Sequence, residues 1–93
     1  MKQIDKERKL SKAEYKKYYD YLSDKFPICQ MCESEKAVNA HHVCYGAYKS
    51  DKTIITICNQ CHLIAHSNKH KWEAILLPIA NANWKEYHTN VIP

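Results

Sequence analysis

Two Cys-x-x-Cys pairs, Cys29/Cys32 and Cys58/Cys61, constrain this chain more than any other feature of it. A tetrahedral zinc ion takes four ligands, and one Cys-x-x-Cys turn lets two thiolates reach the same ion, so two such turns close a structural site. The competing readings are two unrelated thiol pairs or a redox centre. Zinc is preferred because 93 residues bury only a modest core and gain from a metal cross-link. The count of five cysteines is odd, and in a reducing compartment closely spaced pairs hold metal more readily than they form disulfides. Cys44, the fifth, reads as a small buried hydrophobe.

Composition narrows the class. With 45% hydrophobic and 26% charged residues the chain reads as an ordinary soluble globular domain. Its single glycine, Gly46, excludes glycine-built phosphate loops. No stretch has the length of a membrane span, and Met1 to Leu10 lacks the apolar run of a secretory signal, so no membrane partner and a cytoplasmic location are expected. The formal charge of +4 hints at a polyanion, but four thiolates with one Zn²⁺ lower it by two, which leaves net charge a weak pointer to nucleic acid.

Along the chain, Ser11 and Glu14 form a capping box with a Leu10/Tyr15 staple, so a helix is expected from Lys12. Its apolar stripe runs through Tyr15, Tyr18, Tyr19, Leu22 and Phe26 until Pro27 stops it; Lys12, Lys16 and Lys17 fall mostly elsewhere and read as a solvated face in preference to a phosphate-tracking one. Ala37 to Val43 reads as a strand, a loop follows around Tyr45-Gly46-Ala47 and Ser50-Asp51, and the β-branched run Thr53 to Ile57 reads as a second strand closing a hairpin. Cys58 to His66 then reads as a short helix. Beyond it, Trp72, Ile75, Leu76, Ile79 and Trp84, interrupted by Pro78, predict two short helices, with both tryptophans packing against the core instead of stacking on bases.

Six histidines complete the pattern. His62 and His66 are four apart on the expected helix and share a face, the spacing with which two imidazoles grip one metal. One helix would then serve two metals, thiolates on zinc and imidazoles on a second ion. His41 and His42 are adjacent on the first strand and should point to opposite faces, so both reach one site only where the strand ends, twists or bulges, which places an irregularity at His42 to Cys44. The alternative puts one of the pair in the active face and the other in the core or at the zinc. His70 and His88 read as surface or packing residues. A further alternative, in which His62 or His66 replaces a cysteine on zinc, is unnecessary with two intact Cys-x-x-Cys pairs.

Taken together, Cys-x-x-Cys, His41-His42-Val43, Gly46, the β-branched strand and Cys58-x-x-Cys61-His62-x-x-x-His66 resemble the zinc-containing branch of the HNH, or ββα-metal, nucleases over about residues 28 to 67. The resemblance implies an α+β fold: a small zinc-stabilised ββα-metal core at 28–67, with an added N-terminal helix at 1–27 and a C-terminal helical extension at 68–93, all one domain. It also implies His42 as general base and His41 and His62 as ligands of a catalytic divalent metal. His66 would be a third ligand by similarity to the colicin nucleases of that family. The family's middle Asn falls at Thr53, with Asn39 and Asn59 as other candidates to brace the loop that carries the base.

The implied activity is hydrolysis of phosphodiester bonds in double-stranded DNA, leaving 5′-phosphate and 3′-hydroxyl ends. A neutral imidazole with a reference pKa of about 6.5 can take a proton from water near neutral pH. Zinc, nickel, manganese and magnesium are candidate catalytic ions beside the structural zinc, and three imidazole ligands favour zinc or nickel over magnesium. Lys49, Lys52, Lys69 and Lys71 are the candidate phosphate-holding residues. The rival function is a non-catalytic zinc module that binds nucleic acid or a protein partner.

Overall fold

The computed structural model describes residues 9–44 and 49–90. Along the chain run α1 (Lys12–Lys25), β1 (Asn39–His42), β2 (Ile54–Ile57), α2 (Asn59–Ser67) and α3 (Lys69–Asn90). The strands form a two-stranded antiparallel sheet, Asn39 opposite Ile57 and His42 opposite Ile54. Gly46 and its neighbours in the connecting loop lie outside the described residues.

The capping box forms as its residues dictate. Ser11 Oγ accepts from Glu14 N–H at 3.1 Å, and Glu14 accepts in return from Ser11 N–H at 3.2 Å. From there α1 presents Tyr18 and Leu22 to the interior, both fully buried, while Tyr15 and Phe26 flank them half-buried. On the exposed face Lys16 pairs with Asp20.

All four residues of β2 are buried, because the strand runs between two packed clusters. Alternation divides its side chains. Ile54 joins Tyr18, Leu22 and Tyr87 under α1, with Trp84 and Ala40 at the margin. Ile55 and Ile57 join Val43, Ala65, Leu76, Ala80 and the cysteines Cys29, Cys58 and Cys61, with Trp72 packed against them. Both tryptophans therefore serve packing, as the sequence suggests.

The C-terminal region departs from expectation: α3 is one helix of 22 residues, with Pro78 inside it. Proline lacks the N–H that would bond the carbonyl four residues earlier, which is why the sequence suggests a break. The helix continues because Leu76 and Ala80, either side of the proline, are both buried in the same cluster, while Pro78 itself is exposed. Further along α3, buried Asn83 exchanges amide hydrogen bonds with Gln30 (2.9 and 3.1 Å) and donates to the Ile54 carbonyl at 3.2 Å. Gln30 in turn donates its backbone N–H to Thr56 O at 2.8 Å and accepts from Thr56 N–H at 3.1 Å. Helix α3, the first cysteine turn and β2 are thus tied by one polar network. No helix among the described residues is long and apolar enough to cross a membrane.

Candidate metal centres

The four cysteines converge. Each of Cys29, Cys32, Cys58 and Cys61 offers its Sγ within 4.8 Å of the others. A zinc tetrahedron with Zn–S bonds of about 2.3 Å separates its sulfurs by about 3.8 Å, so a small closure completes the site. Backbone geometry prepares both turns. Met31 and Cys32 N–H donate to Cys29 Sγ at 3.4 Å, and Cys61 N–H donates at 3.5 Å to Cys58 Sγ, the N-cap of α2. The first turn closes with Glu33 N–H on Cys29 O at 2.9 Å, which puts Glu33 at φ 57, a left-handed conformation normally left to glycine.

The thiols are unevenly tuned. Burial pushes Cys29 up, but the N–H groups of Cys32, Cys58 and Met31 and the Cys32 side chain outweigh it and bring the group down to about 7. Burial, followed by hydrogen bonding among the neighbouring thiols, pushes Cys61 up. Four crowded thiols cannot all ionise against one another, whereas a dication among them holds all four as thiolates. This donor set fits a structural zinc.

A second cluster lies on a neighbouring face of α2. His41, His62 and His66 each offer a ring nitrogen within 4.8 Å of the others. The Nε2 atoms of His62 and His66 are 3.0 Å apart, close to the separation of about 3.3 Å at which two imidazoles share a tetrahedral zinc. The His41 ring stands 5.2 Å from each of theirs, centroid to centroid. Burial, then His62, His66 and His42, bring the His41 pKa down to about 4; burial and then His66 lower that of His62. Imidazoles kept neutral in this way suit metal ligation. Among the described residues, no acidic side chain belongs to either cluster.

Strand alternation separates His42 from His41. With Ile55 opposite it, His41 points toward α2; with Ile54 opposite it, His42 points toward α1, where its ring stacks on Tyr15 (5.9 Å between centroids, 3° between planes). Because β1 ends at His42, both side chains still line one cleft of about 490 Å³, together with His62, His66, Cys44, Lys49 and Lys69. A cleft of similar size beside the first cysteine turn is lined by Phe26, Pro27, Ile28 and Ile79 together with Lys25, Cys29, Gln30 and Glu33, and no further ligand cluster lies there among the described residues.

The lysines sort differently from expectation. Lys49 and Lys69 line the histidine cleft, whereas Lys52 lies over the Trp84 ring at 5.3 Å and Lys71 over Trp72 at 5.2 Å. Lys12 is exposed, as expected of a solvated face, and borders an adjoining cleft with Lys9, Lys49, Tyr15 and His42. Of the candidate braces, Asn39 and Asn59 bond each other at 2.6 Å at the far end of β1. Thr53 sits beside the histidines: its carbonyl accepts from Val43 N–H at 3.0 Å and its hydroxyl donates to Ser50 O at 3.3 Å.

One participant escapes sequence reading. Asp51 Oδ1 lies 3.0 Å from His42 Nε2, and its Oδ2 accepts from Leu10 N–H at 3.0 Å. An acidic residue beside serine in a loop reads as turn chemistry, and nothing in the local pattern singles it out. No protein-family model, curated protein or solved structure matches the chain.

Proposed function

We propose that this protein is a metal-dependent endonuclease of the HNH type that hydrolyses phosphodiester bonds in double-stranded DNA. The observation that carries the reading is the convergence of His41, His62 and His66 on one point at the wall of a cleft that His42 also lines. The three imidazoles would hold a divalent ion by three protein ligands, a number that leaves coordination positions open. A divalent ion bound there supplies a Lewis acid for the scissile phosphate and counter-charge for the leaving oxygen. His42 takes the proton of the attacking water. Lys49 and Lys69 hold flanking phosphates at the cleft. The cysteine cluster, assigned to structural zinc, would fix the first turn of α2 and through it the placement of His62 and His66 against His41.

The test is nicking of supercoiled plasmid by wild type and His42→Ala in Mg²⁺, Mn²⁺, Ni²⁺ and Zn²⁺. Wild type is expected to convert plasmid to open-circular or linear form in at least one of these ions. His42→Ala should lose that activity by a factor of about 10² or more while retaining its zinc and its helical circular dichroism. Equal nicking by the two proteins removes His42 from the mechanism. The rival zinc-module reading draws on Thr53 standing where the family carries Asn, and it predicts one tightly held zinc per chain and no cleavage in any of the four ions.

A further inference from the structure

The contacts of Asp51 point to a role that the arrangement of ligands and base does not itself supply: we infer that Asp51 is a positioning residue that selects the tautomer of His42. The inference rests on the endonuclease reading above. A carboxylate only accepts hydrogen bonds, so the 3.0 Å contact from Asp51 Oδ1 to His42 Nε2 requires the proton on Nε2. In the neutral ring the lone pair is then on Nδ1, which leaves that nitrogen as the one able to take a proton from water. Ring stacking on Tyr15 holds the plane in which that lone pair lies.

The carboxylate is itself oriented. Leu10 N–H, immediately before the N-cap of α1, donates to Oδ2 at 3.0 Å. Each carboxylate oxygen therefore has one assigned partner, and the two partners are of opposite kind once Asp51 is replaced by asparagine. Leu10 N–H still demands an oxygen, so the amide oxygen stays on its side and the NH₂ faces His42. An NH₂ donates, and it bonds to Nε2 only when that nitrogen carries no proton. Asp51→Asn, the nearly isosteric change, thus imposes the Nδ1–H tautomer and leaves the base with no lone pair where it is needed. Asp51→Ala imposes neither tautomer.

This gives an order that a purely structural role reverses. If Asp51 only braced the loop, asparagine would be milder than alanine. Tautomer selection makes asparagine worse, with plasmid nicking highest in wild type, lower in Asp51→Ala and lowest in Asp51→Asn, the last reduced by about 10² or more. The companion readout is the long-range ¹H–¹⁵N spectrum of the His42 ring in the zinc-loaded protein, at a pH where the imidazole is neutral. Wild type should show Nε2–H, Asp51→Asn the Nδ1–H form and Asp51→Ala a mixture, with circular dichroism and zinc content confirming that each variant is folded. Nicking by Asp51→Asn at or above the level of Asp51→Ala, or an unchanged Nε2–H signature in Asp51→Asn, overturns the inference while leaving the nuclease reading in place. A wild type that cuts nothing removes the nuclease reading, and the positioning role falls with it whatever the ring spectrum shows.

Discussion

His41 is a side chain whose acid–base behaviour the fold alters within the pH range where stability is measured. Burial, reinforced by His62, His66 and His42, takes its pKa from the ordinary 6.5 to about 4. The unfolded chain therefore takes up a proton near pH 6.5 that the folded chain refuses until about pH 4, so stability falls as the pH drops through that window and is unaffected by this group above it. Urea midpoints of wild type and His41→Asn, each with one equivalent of zinc and no other divalent ion, should show it. The stability of wild type relative to the variant should decline from pH 6.5 toward pH 4 and stay level from pH 7 to 8; a constant difference throughout would contradict the assignment. Among single residues, the clustered cysteines and histidines are the most readable in sequence because their spacing carries the geometry. Asp51 and Gln30 are not, because each acts across the fold, on His42 and on Asn83 and Thr56.

Helix α2 concentrates the chemistry in nine residues, with Cys58 as N-cap, Cys61 in the first turn and His62 and His66 on a neighbouring face. The two metals are expected to depend on it unequally. Cys61→Ser takes a thiolate from the buried cluster and should lose the structural zinc, loosen the start of α2 and with it both metal-binding groups. His66→Ala leaves the cysteines untouched and should lose the second ion alone. Metal content by native mass spectrometry separates the cases: no firmly held zinc in the first variant, one in the second against two in wild type. Retention of two ions by His66→Ala would remove that residue from the ligand set. At this scale the sequence is legible where local signals act alone. The capping box starts α1 where Ser11 and Glu14 place it, and β-branched residues mark β2. Pro78 misleads because a local rule about a missing N–H is outweighed by burial of Leu76 and Ala80 either side of it.

As a whole the chain is small, with a radius of gyration of 12.8 Å, and its second buried cluster contains three of the four paired cysteines. A structural metal at that place joins the first turn, β2 and α2 into one unit, which a core of this size needs. On the proposed reading the cysteine site would tie the first turn to α2, and a second ion would sit where His41, His62 and His66 come together. Sequence pattern conveys both clusters, since ligand spacing survives in one dimension. It does not convey the polarity of the strand end, where His42 turns toward α1 and comes to rest between Tyr15 and Asp51. The most direct test is nicking of supercoiled plasmid titrated against metal bound per chain. The account predicts no cleavage with one zinc per chain, the cysteine site filling first, and cleavage that rises as a second divalent ion binds. Cleavage already complete at one zinc per chain, or none at two, would contradict it.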